Sequence, residues 1–300
     1  MADNAFQRSR EVMRLSFSVI KADKELLWFP ILSSIFSALF SFAILFPTII
    51  LNALDTGTYA WDWLQLLWLF IVYFGLAWIS TFFGVCTCFT AKIRFEGGNA
   101  TLGESIKYGF KRFGTISSWA AISALWGMLM AFLQNLANRF GTAGKIIVQF
   151  LRGAMSFMWN IATIFVIPAI TYYDLTPGKA IKKSVDTLKK TWGESIIRYF
   201  SLGLMKFLIG FLVFLLLGGL GGYIIYLGVT SPNPILFWVG IALVIVAVVY
   251  LVIVNLVFNI ANQIFNTALF VYADTGSIPK GWKKDVLANT FQTKPGPSNR

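Results

Sequence analysis

The sequence predicts an all-α membrane protein with six transmembrane helices arranged as three hairpins, each preceded by an amphipathic helix at the cytoplasmic interface. Three observations predict it: the hydrophobic content, the number of long apolar stretches, and the distribution of the basic residues. Hydrophobic residues make up 57% of the 300 residues and charged residues 13%, and the mean hydropathy is +0.71. This balance is typical of a chain whose main solvent is the bilayer.

Six stretches are long and apolar enough to cross a bilayer. A spanning helix needs about 20 mostly apolar residues. The stretches that meet this condition are approximately 26–51, 63–91, 116–136, 146–172, 196–227 and 235–272. The sequence therefore divides into an N-terminal amphipathic arm (1–25), a six-helix transmembrane domain (26–272) and a cytoplasmic tail (273–300). The sixth stretch is longer than one span requires, so we expect it to tilt, break or protrude.

In this predicted topology the basic residues lie mainly on one side of the membrane. The net charge is +12, and Lys and Arg concentrate in the arm, in the second and fourth connections and in the tail. By the positive-inside rule both termini are cytoplasmic, and this topology accounts for the charge without a nucleic-acid partner. The first 25 residues contain acids as well as bases and lack a small-residue cleavage site, so we expect them to stay attached.

Two cytoplasmic connections resemble each other and predict short interfacial helices. Residues 101–114 read TLGESIKYGFKRFG and residues 176–193 read TPGKAIKKSVDTLKKTWG. Their apolar faces at helical spacing are Leu102, Ile106, Phe110 and Phe113 in the first, and Ile181, Val185, Leu188 and Trp192 in the second. Thr101 and Thr176 suit N-caps, and Pro177 suits a first helical position. Lipid and the rest of the protein are both open as partners of these faces, because periodicity does not separate them.

The basic residues of these two connections are candidates for contact with anionic lipid headgroups. They are Lys107, Lys111, Arg112, Lys182, Lys183, Lys189 and Lys190. Membrane lipids are therefore the predicted partners of these segments.

The ends of the fourth and sixth stretches indicate internal repeats. NIATIFVIPAITYYDLT (160–176) and NIANQIFNTALFVYADT (259–275) align without a gap. With the two interfacial segments, this match predicts three repeat-like units at about 1–95, 96–174 and 175–275.

The arm and the first span carry a family resemblance. The segment VMRLSFSVIKADKELLWFPILSSIFS (12–37) resembles a family of six-span bacterial and archaeal membrane proteins whose domain is of unknown function. The resemblance implies a prokaryotic plasma (inner) membrane and the six-helix topology, and it implies no catalytic or binding residue.

Few residues suit enzymatic chemistry. The chain has no His and only two cysteines, Cys86 and Cys88, so a four-ligand zinc site is not expected. Phosphate-loop, zinc-protease and serine-hydrolase motifs are missing from the sequence. We therefore predict a non-enzymatic protein that uses no cofactor and no metal. Gly218 and Gly222, four residues apart in the fifth stretch, favour close helix packing over a local kink.

Four asparagines lie on one helical face of the sixth stretch, at Asn255, Asn259, Asn262 and Asn266. An unpaired amide is costly in hydrocarbon, so this face is not expected to meet lipid. Three interpretations stay open: hydrogen bonds to neighbouring helices, a seam between subunits of a homo-oligomer, and a hydrated path.

The leading hypothesis is a channel- or transporter-like protein with a polar cavity lined by the sixth helix. Its candidate lining residues are Asn255, Asn259, Asn262, Gln263, Asn266, Asn160, Thr163 and Lys206. Lys206, an ionisable residue within a span, would favour anions unless it extends to the headgroups. The alternative hypothesis is a structural or lipid-organising scaffold that acts through the interfacial helices.

Overall fold

A computed structural model describes residues 14–54, 63–139, 141–191, 200–231 and 234–282, and in these ranges the chain is helical without a strand. The helices are α1 (Trp28–Leu54), α2 (Trp63–Phe95), α3 (Leu102–Lys111), α4 (Phe113–Arg139), α5 (Thr142–Thr163), α6 (Val166–Tyr173), α7 (Pro177–Thr191), α8 (Phe200–Thr230) and α9 (Pro234–Thr275). A helical segment at 14–22 and a 3-10 turn at Lys24–Leu27 precede α1. The side chains of Lys190 and Lys206 lie outside the described residues.

Within the described ranges, six helical regions are long and apolar enough to cross a membrane. They are Lys24–Phe46, Gln65–Phe95, Phe113–Arg139, Gly144–Tyr173, Ile209–Thr230 and Pro234–Thr275. The all-helical class and the six span-length stretches predicted from the sequence are thus confirmed. They indicate a multi-pass membrane protein.

The fourth stretch, predicted as one uninterrupted span, is divided into α5 and α6 at residues 164–165. Pro168 lies in the first turn of α6, and it has no N–H to donate to the preceding turn. The N–H of Phe165, at the break, instead donates to Ser184 Oγ of α7 at 3.1 Å. Thr267 occupies the position aligned with Pro168, and there α9 continues without a break.

Helix α9 is unbroken over 42 residues, which at 1.5 Å per residue is about 63 Å. Of the three outcomes expected for the overlong sixth stretch, breaking is therefore excluded, and tilting and protruding remain.

The chain divides into two compact units, which are described separately. The larger unit comprises Asp23–Thr191 and Asn266–Gly281, and the smaller unit comprises Met1–Ala22, Trp192–Phe265 and Trp282–Arg300.

The core of the larger unit is the C-terminal half of α2. Every residue from 81 to 88 is buried, because α1, α3, α4 and α6 all pack on this helix. The small residues Gly84, Cys86 and Cys88 permit these close approaches, and both cysteines are free and buried. The hydroxyls of Thr87 and Thr90 donate to carbonyl oxygens one turn earlier, so their polarity is satisfied within the helix.

The smaller unit contains a close-packed hairpin of α8 and α9. A Cβ on Gly240 would lie 2.8 Å from the carbonyl oxygen of Gly221, and one on Gly228 would lie 2.5 Å from the amide nitrogen of Phe237. Gly218 and Gly222, the pair predicted to pack closely, lie beside this contact. A Cβ on Gly222 would meet nothing within 4 Å, and the atoms nearest to one on Gly218 belong to Phe214 of its own helix, at 3.4 Å and beyond. The close approach of α8 and α9 therefore falls on neighbouring glycines.

Candidate functional site

Helix α3 begins at a capping box. The hydroxyl of Thr101 accepts a hydrogen bond from the N–H of Glu104 at 3.3 Å, and the N–H of Thr101 donates to Glu104 Oε2 at 2.8 Å. The N-cap prediction for Thr101 is therefore confirmed, and Pro177 is the first residue of α7, also as predicted. The hydrogen bonds from Thr101 lower the pKa of Glu104.

The buried face of α3 consists of Ser105 and Gly109, one turn apart. The hydroxyls of Ser105 and Thr90 of α2 lie 2.7 Å apart in a hydrogen bond. A Cβ on Gly109 would lie 2.8 Å from Cε2 of Phe82 and 3.0 Å from Sγ of Cys86. A side chain at position 109 would therefore require Phe82 to move, and the glycine lets the backbone of α3 approach α2 without such a shift.

Part of the predicted apolar face of α3 is left exposed. Phe110 and Phe113 are 57% and 54% exposed, although the ring of Phe110 also contacts Phe82 at a centroid distance of 4.9 Å. Lys107 and Lys111 are exposed beside Phe110. Helix α3 is thus anchored through small residues and presents the ring of Phe110 and two ammonium groups outward, next to the exposed ring of Phe113 at the start of α4.

Helix α7 packs more completely on the protein. Its buried residues are Ala180, Ser184, Thr187 and Leu188, and its neighbours are α4, α5 and α6. Ile181 and Val185 are half-buried, and Trp192 lies outside the described residues. Ser105 and Gly109 of α3 correspond to Ala180 and Ser184 of α7 in the two aligned segments, so both helices bury small residues at the same two positions.

Six of the seven basic candidates have described side chains, and these six divide into two groups. Lys107, Lys111, Lys182 and Lys189 are exposed. Arg112 and Lys183 are half-buried and form ion pairs with Asp174 and Asp274, respectively. Among the candidates with described side chains, the exposed group is the one available to an external anion.

The pair of Arg112 and Asp174 joins the start of α4 to the end of α6. Asp174 adopts a left-handed backbone conformation (φ 47°) that ends α6, and its carboxylate also accepts a hydrogen bond from Thr115 Oγ1 at 2.9 Å. Tyr108 of α3 donates to the carbonyl oxygen of Thr171 at 2.5 Å, and Arg112 donates to the hydroxyl of Tyr108 at 3.2 Å. The helix ends at this side of the larger unit are therefore linked by charge and hydrogen bonds.

Asp274 joins three further elements. Lys183 Nζ of α7 lies 2.5 Å from Asp274 Oδ1 near the end of α9, and Tyr173 of α6 donates to Asp274 Oδ2. The ammonium group of Lys183 also lies 4.8 Å from the ring centroid of Tyr173. Sequence reasoning missed these pairs, although an acid after the last tyrosine of both aligned segments, 160–176 and 259–275, was a visible signal.

The asparagine face of the sixth stretch is mostly exposed. Asn255, Asn259 and Asn262 are exposed on α9. Asn255 Nδ2 donates to the carbonyl oxygen of Leu251 at 2.9 Å, and Gln263 Nε2 donates to Asn259 Oδ1 at 3.4 Å. These described hydrogen bonds of the asparagines stay within the helix.

The other candidate lining residues have different surroundings. Asn266 is half-buried, and its Oδ1 atom is buried without a hydrogen-bond partner. Asn160 is exposed, and Thr163 Oγ1 donates to the carbonyl oxygen of Trp159 at 2.8 Å. In the described part of the chain, no group of three or more His, Cys, Asp or Glu side chains could hold a metal ion.

Comparison with known proteins identifies a domain. A family model described as "Family of unknown function (DUF6159)" matches residues 63–280, from the start of α2 to beyond the end of α9. No curated protein and no solved structure matches the chain. The match begins after segment 12–37, and the topology and prokaryotic range implied by that segment stay predictions.

Proposed function

The chain belongs to the family of unknown function DUF6159 through residues 63–280, and we propose that it is a non-enzymatic membrane protein that organises anionic lipids through α3 and α7. The proposal places these helices at the cytoplasmic interface of a prokaryotic inner membrane, in accordance with the positive-inside rule.

The observation that carries this proposal is the division of α3 into two faces. Ser105 and Gly109 fix the helix to α2, whereas Phe110 near its end and Phe113, the first residue of α4, remain more than half exposed. Exposed aromatic rings at an interface favour the boundary between headgroups and acyl chains. An interfacial position for α3 gives these rings an apolar partner.

The exposed lysines supply the electrostatic part of the proposal. Each lysine near an anionic surface contributes about 1 kcal/mol of attraction, which salt screens. Lys107, Lys111, Lys182 and Lys189 are exposed and can make this contribution. Arg112 and Lys183 are assigned instead to holding helix ends together, because each has a carboxylate partner within the larger unit.

The test is the lipid composition of the first shell around the protein in mixed phosphatidylglycerol and phosphatidylcholine vesicles. We expect anionic lipid to be enriched around the wild type at low salt and the enrichment to fall at high salt. Lys107→Gln/Lys111→Gln should lower it, and adding Lys182→Gln/Lys189→Gln should lower it further. The matched control, Lys107→Arg/Lys111→Arg, keeps the charge and should retain it. Enrichment unaffected by the four glutamine substitutions would reject the proposal.

A second candidate function is conduction along the asparagine face. It is supported by the exposure of Asn255, Asn259 and Asn262 on a helix that is long and apolar enough to cross a membrane, because hydration would satisfy these amides. It ranks second because their described hydrogen bonds stay within one helix. Flux of ions and small solutes into liposomes should then fall in Asn259→Leu/Asn262→Leu. If the wild type passes none of the solutes tested, conduction is contradicted.

A further inference from the structure

Helix α9 exposes a continuous stripe with heptad spacing in the smaller unit. The stripe, called here the α9 seam, consists of Ile245, Val248, Val252, Asn255, Asn259 and Asn262, and all six are exposed. The steps along it alternate between three and four residues, which gives the 3.5-residue period of helices that wrap around each other. The buried residues beside it, Ile260, Ala261, Ile264 and Phe265, face the interior.

The two halves of the α9 seam differ in chemistry. The first half carries β-branched side chains, which pack well at the contact between two helices. The second half carries amides, and lipid chains offer these amides no hydrogen-bond partner. An amide has a partially positive NH₂ group and a partially negative oxygen, so its charge distribution is complementary to that of a second identical amide.

We propose that the occupant of the α9 seam is a second copy of this chain. Two copies that both follow the positive-inside rule have the same orientation in the membrane. A two-fold axis along the membrane normal therefore relates them. Such an axis places each seam residue opposite or near its counterpart in the other copy. Asn255, Asn259 and Asn262 then meet asparagines at equal depth, and the valines meet valines.

The complementarity also fixes the register of the two helices. A shift of one heptad would place Asn255 opposite Val248 and Asn259 opposite Val252, and would leave amides without partners. Amides at such positions select one register and one oligomeric state at the expense of others. The inference does not depend on the lipid role of α3, because no residue of α3 belongs to the seam.

Disulfide cross-linking in liposomes tests the seam with a matched pair of variants. Val248→Cys lies on the seam and Val246→Cys lies off it. The two valines have similar exposure, 47% for Val248 and 54% for Val246, and they flank the same residue, Ala247. Wild type serves as the blank, because Cys86 and Cys88 are buried. We expect oxidant to convert Val248→Cys into a covalent dimer several times faster than Val246→Cys, and Val252→Cys to behave like Val248→Cys.

Equal or faster cross-linking of Val246→Cys would overturn the proposal, and so would the lack of a dimer in both seam variants. A second measurement isolates the amides. In Asn259→Leu/Asn262→Leu the dissociation constant of the dimer in lipid should rise about tenfold, the effect of losing polar contacts between membrane helices. Ile253→Leu, exposed but off the seam, should leave it unchanged. A dissociation constant unaffected by the double substitution would overturn the assignment of the asparagines to the contact.

Discussion

Tyr173, the last residue of α6, donates a hydrogen bond to Asp274, the penultimate residue of α9. The same carboxylate binds the ammonium group of Lys183 of α7, and its side chain is 6% exposed. One acidic side chain therefore connects the ends of two span-length regions to an amphipathic helix. Pairs of this kind are sensitive to the loss of one partner, because the other is left partly buried without compensation.

Asp274→Asn should lower the free energy of unfolding by about 1–3 kcal/mol, because Lys183 loses its counter-ion while Tyr173 keeps only a neutral acceptor. Reversible unfolding in mixed micelles, followed by tryptophan fluorescence, measures the change. Asp186→Asn is the matched control, since Asp186 is exposed on α7, and it should change the free energy by less than about 0.5 kcal/mol. Equal effects of the two substitutions would show that the Asp274 contacts do not stabilise the fold.

Gly109→Leu should separate α3 from α2. The new side chain would collide with Phe82 and with the thiol of Cys86, and such overpacking costs about 1–3 kcal/mol. The readout is maleimide labelling of Cys86, which is fully buried in the wild type. If the free energy that holds α3 on α2 falls by about 1.4 kcal/mol, the labelling rate should rise about tenfold.

Gly103→Leu is the control for that experiment, because a Cβ on Gly103 of the same helix would meet nothing within 4 Å. Its labelling rate should match that of the wild type. If Gly109→Leu also labels at the wild-type rate, the small-residue contact does not hold α3 in place.

Asp23 and Glu104 should give pH effects of opposite sign. Asp23 is 4% exposed and its Oδ2 atom is buried without a hydrogen-bond partner. Burial raises the pKa of Asp23, and the nearby Glu25 adds to this, whereas a hydrogen bond from the N–H of Glu25 and the charge of Arg94 lower it. The folded state therefore favours the protonated carboxyl, and this stability is lost as the pH rises through the folded pKa.

Asp23→Asn should therefore unfold at a higher denaturant concentration than the wild type at about pH 8, and the difference should shrink towards about pH 4, near the ordinary pKa of the carboxyl. The pKa of Glu104 is lowered by its hydrogen bonds with Thr101, so its contribution is present above the unfolded pKa and is lost as the pH falls. Glu104→Gln should consequently destabilise the protein at about pH 8 and have little effect in acid. The same sign for both substitutions would contradict this account.

The span-length helices could be predicted from the sequence because each depends on about 20 consecutive residues and on the bilayer alone. The break before Val166 was not predicted, although Pro168 was a visible signal. A proline within a membrane helix can be accommodated without a break when other groups satisfy the freed backbone. Here the separation of α5 from α6 depends on Ser184, more than a dozen residues away, whose hydroxyl accepts a hydrogen bond from the N–H of Phe165.

The charged pairs of the candidate site could not be predicted for a similar reason. All seven basic residues have the same local pattern of lysine or arginine on an amphipathic helix. The structure separates Arg112 and Lys183 from the rest only because Asp174 and Asp274 are brought to them by the folding of distant spans. The buried face of α3 was also missed, since Ser105 and Gly109 are not hydrophobic and contribute little to a periodicity based on hydrophobicity.

The central claim is that α3 lies in the membrane interface with the exposed part of the Phe110 side chain in lipid. Spin labels at Phe110→Cys and Lys111→Cys test it most directly, because the two residues are adjacent and exposed and because the native cysteines are buried. In liposomes, power saturation compares collisions with apolar oxygen and with a water-soluble nickel chelate. The account predicts a clearly higher ratio of oxygen to nickel accessibility at residue 110 than at residue 111. An equal or lower ratio at residue 110 would contradict it.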